Sequence, residues 1–251
     1  MLQYKFMTAL SPVDALAGQY GEYYRRYSDP DSPRDSRTLM AKGVKDLLLS
    51  GSGETRVLDI GSGTRQIESQ IIRDAKSHSN GKLLRRLAET RLISLDIAEL
   101  PVRKLKLAQR VLSQPAGWHV TADSRKIPFA NDTFDIGFSN LSIDMLRRDP
   151  DSYANALLEV NRVMKFGGDI LLHLHPHTLF YDLSDGYEGT GDSRAEYFTG
   201  RPEDNPFYEH SDEIRQDLAD AGMAVTDVGH YRDAIGDQWW AVAAIKTDYL
   251  E

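Results

Sequence analysis

Cysteine is absent from the 251 residues. No disulfide framework, thiolate nucleophile or cysteine-based zinc site is therefore available. Long apolar runs are absent too, since none approaches the roughly 18 uninterrupted residues that cross a bilayer. The opening MLQYKFMTAL lacks the apolar core of a secretion signal, so a cytoplasmic protein with no membrane partner is expected. Positive charge is in deficit: 30 Lys and Arg stand against 38 Asp and Glu, a formal net charge of -8. That balance repels phosphate backbones, and nucleic acid is not an expected partner. Repeats and low-complexity tracts are also missing.

What is present is an ordinary globular composition, 41% hydrophobic and 27% charged, which is enough to bury one core in a single domain spanning 1–251. Ser11-Pro12 opens a helix ending near Tyr27, and Ser36 is placed to cap a second through Leu49, so residues 1–52 read as a helical cap. From Arg56 the pattern alternates. Short apolar runs at 56–60, 92–96, 118–121, 134–139 and 170–175 are separated by amphipathic stretches from Gln66, at 100–112 and at 152–164. This is the order of parallel βαβ units, forming a core over 53–175. Segment 176–210 has no clear period but holds Phe180, Tyr181, Tyr187, Tyr197, Phe198, Phe207 and Tyr208, which suits a lid over a small apolar molecule or an aromatic-anchored surface loop. In 211–251 a helix at 212–221 precedes two strands near 224–231 and 239–245, too close for a crossover and so antiparallel.

The chemistry concentrates at strand ends. VLDIGSGTR runs an apolar strand into Asp59, then into Gly61 and Gly63, where backbone turns sharply and approaches a ligand closely. The helix that follows offers N–H groups to a nucleotide-like ligand, while Asp59 orients the loop or faces an ammonium group. A plain strand-to-helix turn uses glycines in the same way. LISLD ends on Asp96, where open α/β sheets set a carboxylate against ribose hydroxyls, unless it is a helix N-cap.

Four segments in order, VLDIGSGT, LISLD, HVTADSRKIPFANDTFDIGFSN and ALLEVNRVMKFGGDILL, resemble the motifs of class I S-adenosylmethionine-dependent methyltransferases over about Arg56 to Leu172. The likeness is to the branch typified by ubiquinone and menaquinone biosynthesis methyltransferases. It implies an α/β, Rossmann-like fold: seven mostly parallel strands, an antiparallel C-terminal hairpin, helices on both faces and the N-terminal helical cap. It further implies S-adenosylmethionine as cofactor and methyl transfer to a small-molecule acceptor. Carried over by position, Asp59, Gly61, Ser62 and Gly63 shape the methionine side. Asp96 then holds the ribose, Ile97 packs on the adenine, and Asp123 and Ser124 lie at its edge. Asn140 and Leu141 approach the methionine part, and Asp135 within its strand is structural.

The chain departs from that pattern in three places. Arg65 stands where a third glycine is frequent. About a dozen extra residues separate Gly63 from Asp96, split by Asn80-Gly81 into two helical pieces that serve oligomerisation or nothing. Phe166 replaces a proline before Gly167-Gly168, in what reads as a turn.

Methyl transfer to a protic acceptor calls for a nearby base. His173 and His175 alternate along a strand and share a face, while Pro176 leaves the direction of His177 open. These histidines are structural, act as base or acceptor contacts, or bind metal. His175 leads the catalytic candidates, with His177, and Asp144 is a further base or a helix cap. Tyr20, Tyr23, Tyr24 and Tyr27 close over the site or pack the cap helix. Lys82, Arg85, Arg86 and Arg91 form a basic patch or a solvated face. Two rivals differ in kind: a nicotinamide dehydrogenase, disfavoured by the missing glycine and the closing hairpin, and a non-catalytic cofactor-binding or partner-binding descendant of the fold.

Overall fold

The computed structural model describes residues 35–63, 65–77, 81–98, 118–174, 211–232 and 238–247. The order of elements follows the alternation of the sequence. Helix α1 (Asp35–Ser50) leads into β1 (Thr55–Ile60), followed by α2 (Gln66–Ser77), α3 (Gly81–Ala88), β2 (Thr90–Asp96) and β3 (Trp118–Thr121). Then come β4 (Phe134–Asn140), a 3-10 helix (Ile143–Arg148), α4 (Pro150–Val163), β5 (Met164–Leu174), α5 (Ser211–Asp220), β6 (Met223–Arg232) and β7 (Gln238–Lys246). The expected helices at 11–27 and 100–112 and the expected lid at 176–210 lie outside the described residues.

All seven strands form one sheet in the order β3-β2-β1-β4-β5-β7-β6. The pairs from β3 through β5 are parallel, and β7 runs antiparallel to both β5 and β6. The fold expected from the motifs is the one observed, closing hairpin included. β1 is buried on both faces except at Arg56, as a central parallel strand must be. Val57 contributes to an apolar cluster with Met40, Val44 and Leu48 of α1 and with Ile71 and Ile72 of α2. Leu58 and Ile60 point the other way, into a cluster with Leu157 and Val160 of α4 and Ile214 and Leu218 of α5. Helices thus cover both sides of β1. Among the described residues no helix is long and apolar enough to cross a membrane.

Three local details depart from the sequence reading. Ser36 lies inside α1 and not at its cap. β5 begins at Met164, six residues before the expected start, because Phe166-Gly167-Gly168 continues the strand through a register shift opposite Phe134 to Ile136. Gly167 takes a φ of +68° there, and Phe166 is exposed in a bulged strand end where a turn was expected. Arg86, grouped with a basic surface patch, is buried: its guanidinium donates to Leu48 O, Gly53 O, Thr55 Oγ1 and Glu89 Oε2, tying α3 to the β1 approach. The insertion between Gly63 and Asp96 is the two-helix arrangement expected, and α3 packs Leu83 and Leu87 into the core beside α1.

Candidate functional site

β1 is flanked by β2 on one side and β4 on the other, so the chain leaves in opposite directions around the β1–β4 boundary. Crevices at the carboxyl ends of strands at such a switch point are where open α/β sheets bind ligands. Residues leaving β3, β2, β1 and β4 are stitched together at this edge. Gly61 N and Ser62 N donate to Leu95 O at 2.7 and 3.0 Å, and Ala122 N donates to Asp96 O at 2.9 Å. Ser142 Oγ donates to Ile60 O at 3.0 Å, and Leu141 N to His173 O at 3.0 Å.

The glycine loop has the conformation its sequence demands. Gly61 and Gly63 have φ of +72° and +52°, the left-handed region that glycine enters without penalty. Gly61 is doubly constrained, because a Cβ there would stand 1.8 Å from Ser142 Oγ. Asp96 organises the next layer: Oδ2 accepts from Gly63 N at 2.8 Å and Oδ1 from Ala98 N at 2.9 Å. It is buried, as is Asp59 on β1. Through these two bonds the carboxylate ties the glycine loop to the turn that follows β2. Ser62 Oγ is buried without a hydrogen-bond partner within the described residues, a donor and acceptor held ready beside the loop.

The electrostatics below the loop are concentrated. Burial pushes the Asp59 carboxyl well above its ordinary range; the charge of Glu68 adds to this, that of Arg65 opposes it, and Asp96 raises it further. Glu68, on α2, is raised by burial against the pull of Arg65 and Ser94. Arg65 Nε donates to Glu68 Oε2, and Ser94 Oγ donates to Glu68 Oε1. His119 is lowered by burial and by Arg65, with the Ala98 carbonyl acting the other way.

The remaining expected residues lie around this centre. Ile97 is partly buried just past β2. Asp123 and Ser124 follow β3, where Arg125 holds Asp123 through Nε and Nη2 at 2.7–3.1 Å and also donates to Ser152 Oγ. Burial works against ionisation of Asp123, but the Arg125 hydrogen bonds outweigh it and keep the carboxyl below its usual value. At the end of β4, Asn140 Oδ1 faces His173 Nδ1 at 2.9 Å, and Leu141 has a φ of +61°. His173 is buried and lowered by that burial to about 4, against a hydrogen bond with the Ser36 backbone. Asp144 sits buried in the first turn of the 3-10 helix, 3.6 Å from Arg147 Nη1, so it is not the helix cap that the sequence allows as the alternative to a base; Ser142 stands at that position, without a side-chain capping bond. Asp135 accepts from Arg56 N and Lys165 Nζ at the far end of β4, a structural role as expected. His175 and His177 lie outside the described residues.

Sequence reasoning did not find Glu68, Ser94, Ser142 or Arg125. Arg65 was visible as a departure from pattern, and Glu68 three residues on was a signal for its partner. Nothing local marks Ser142 or Ser94, which matter only through strands that fold beside β1.

Comparison with known proteins sets this geometry among others. A family model described as a methyltransferase domain matches residues 77–172. The biotin biosynthesis bifunctional protein BioHC of Cellvibrio japonicus is 36% identical over 177 residues, which is 69% of this chain and 30% of that protein. The chain therefore spans less than a third of the length of that relative. The Burkholderia thailandensis 1,6-didemethyltoxoflavin-N1-methyltransferase, solved with 1,6-didemethyltoxoflavin and S-adenosylhomocysteine, has a similar fold: TM-score 0.61, 17% identity, 96% of this chain and 92% of that one covered. So does the magnesium protoporphyrin IX methyltransferase of Synechocystis PCC 6803, solved with S-adenosylmethionine: TM-score 0.61, 13% identity, 96% and 99% covered.

Proposed function

We propose that this chain is a class I S-adenosylmethionine-dependent methyltransferase, as the domain match and the fold support, that binds the methyl donor at the β1–β2–β4 strand ends and methylates a small molecule. The observation that carries this is Asp96, a buried carboxylate at the end of β2 that Gly63 N and Ala98 N hold against the glycine loop. Gly61 and Gly63 turn the chain sharply at the end of β1 through left-handed backbone, Ser62 Oγ is a buried polar atom with no hydrogen-bond partner among the described residues, and the carboxylates suit a ligand carrying ammonium, sulfonium and ribose hydroxyls. The residues fit the group.

In this reading Asp96 accepts the ribose hydroxyls, Ile97 covers one adenine face and Asp123 with Ser124 borders its edge. Gly61, Ser62 and Gly63 admit the methionine part, with Asn140 and Leu141 along it. S-adenosylmethionine, when bound, supplies a methyl carbon on a cationic sulfur that leaves as a neutral thioether. The chain has to align the acceptor atom in line with that carbon–sulfur bond and keep water out, because no covalent intermediate with the protein is required. The new bond to the methyl forms as the sulfur takes back its electron pair, and an acceptor that carried a proton gives it to a base. His175, His177 and Asp144 are the candidates for that base. The two structural relatives are named for small-molecule substrates, which supports a small acceptor. The ubiquinone and menaquinone branch and the division into cap, core, lid and closing hairpin belong to this proposal.

Calorimetric titration of the purified chain with S-adenosylmethionine and S-adenosylhomocysteine, with NADH as control, tests it. Binding of the first two alone is expected. Binding of NADH instead, or of none of the three, overturns the reading.

A further inference from the structure

Arg65 combines three features that seldom coincide. Its φ is +59°, a region that costs a non-glycine residue about 1 kcal/mol or more. The residue is 1% exposed, and among the described residues it has the largest fully buried side chain. Its guanidinium sits beneath the glycine loop among carboxylates: it is hydrogen-bonded to Glu68, and its charge acts on Asp59. A plain turn would be served better by glycine. The side chain is what justifies this residue at this position.

The surroundings show what the guanidinium does. Asp59 on β1 pairs in register with Ser94 on β2, which pairs with His119 on β3, so the three share one face of the sheet. α2 lays Glu68 against that face, where Ser94 hydrogen-bonds it, and Asp96 ends β2 just above. Asp59, Glu68 and Asp96 thus crowd three carboxyl groups into a buried space, where Arg65 is ion-paired with Glu68 and its charge acts on Asp59. His119 faces Arg65 and is kept neutral by burial and by that charge. The charge of this floor, beneath the place where the methionine part of the ligand is proposed to lie, is therefore set by how far burial protonates Asp59 and Glu68 and how far Arg65 opposes it.

We propose that Arg65 is a positioning residue that sets the charge beneath the cofactor loop and so tunes the preference of the site for the cationic methyl donor over its neutral thioether product. This rests on the methyltransferase reading. Removing Arg65 deprives Asp59 and Glu68 of their counter-charge, and burial then makes them hold a proton up to higher pH. A bound sulfonium must expel that proton, whereas the thioether need not. The ratio of the two affinities isolates this term, since both ligands carry the same adenosine, ammonium and carboxylate.

The test is calorimetry of the full chain with S-adenosylmethionine and S-adenosylhomocysteine from pH 5 to 9, in the wild type, Arg65→Gly, Arg65→Lys and the double variant Arg65→Gly/Glu68→Gln. Glycine suits the φ of this position, so the fold should survive, as a thermal melt would show. The donor-to-product affinity ratio should rise with pH, with its midpoint displaced upward by about one pH unit or more in Arg65→Gly. The lysine variant and the double variant should return the midpoint toward the wild type. Equal midpoints in the wild type and Arg65→Gly, or no rescue by lysine, overturn the proposal. If Arg65→Gly does not fold, Glu68→Gln alone decides: leaving Arg65 opposite fewer carboxylates should lower the ratio several-fold at pH 7, and an unchanged ratio overturns the proposal. A wild type that binds neither ligand defeats the methyltransferase reading and this inference with it. A wild type that binds both, with Arg65 variants indistinguishable from it, defeats this inference alone.

Discussion

Ser142 Oγ occupies the space into which any side chain on Gly61 would grow: a Cβ built on Gly61 would lie 1.8 Å from that oxygen and 2.1 Å from Ser142 Cβ. The same hydroxyl donates to Ile60 O, so the chain leaving β4 is fastened to the chain leaving β1 at this one point. Gly61→Ala should therefore cost about 3 kcal/mol, from the left-handed φ together with the overlap. It should also abolish binding of S-adenosylhomocysteine. Adding Ser142→Gly removes the overlap and should recover part of the stability, but not the part due to φ. Urea unfolding of the two variants checks this; full recovery in the double variant would show that φ contributes nothing.

Asp96 is expected to serve the loop and the ligand at once. In Asp96→Ala two buried N–H groups, of Gly63 and Ala98, lose their acceptors, at about 1–3 kcal/mol each. Affinity for S-adenosylhomocysteine should drop at least about tenfold, which is about 1.4 kcal/mol. Asp96→Asn keeps one acceptor oxygen and should fall between the two. Titration calorimetry beside a thermal melt separates lost binding from lost fold, and an alanine variant that binds normally would remove Asp96 from the site.

The Asp123–Arg125 pair predicts selectivity for the purine. Ionised and held in one orientation by Arg125, Asp123 only accepts hydrogen bonds, so it should favour the 6-amino group of adenine over a 6-oxo group. Competition between S-adenosylhomocysteine and its inosine counterpart should show that preference in the wild type. Arg125→Ala should narrow it several-fold and Arg125→Lys should restore part of it. A preference that survives Arg125→Ala would place the adenine elsewhere.

His173 makes a prediction about acid stability. In the unfolded chain an imidazole takes up a proton near pH 6.5, whereas burial holds His173 neutral in the fold down to about 4. Between those values the unfolded state binds more protons, so this residue's contribution is complete above about pH 6.5 and is lost as the pH falls toward 4, by up to about 3 kcal/mol. Unfolding free energies at pH 7 and pH 5 should therefore differ less in His173→Gln than in the wild type. An identical difference in both would mean that the ring titrates freely in the fold.

Much of this protein was legible in one dimension because its signals are local. The alternation of apolar runs and amphipathic stretches is a property of neighbouring residues, and parallel strands need helices between them. Gly61 and Gly63 announce a tight turn through their own conformational freedom, and Asp96 announces itself by ending an apolar strand. The antiparallel close followed from the few residues between β6 and β7, which leave no room for a crossover.

What only the tertiary structure decided depends on residues far apart in sequence. The partner that makes Gly61 irreplaceable stands 81 residues later, just past β4, and strand order alone brings Ser142 there. Arg86 reads as one of a run of surface cations until three segments present carbonyl and hydroxyl oxygens to it in the interior. Arg65 reads as a blemish in a glycine motif, and becomes a counter-ion once α2 and β1 enclose it with Glu68 and Asp59. Chain order by itself determined which elements form and which residues end each strand. The charge of the buried space and the fit of the loop belong to the folded chain, because burial and distance exist only after the strands have met.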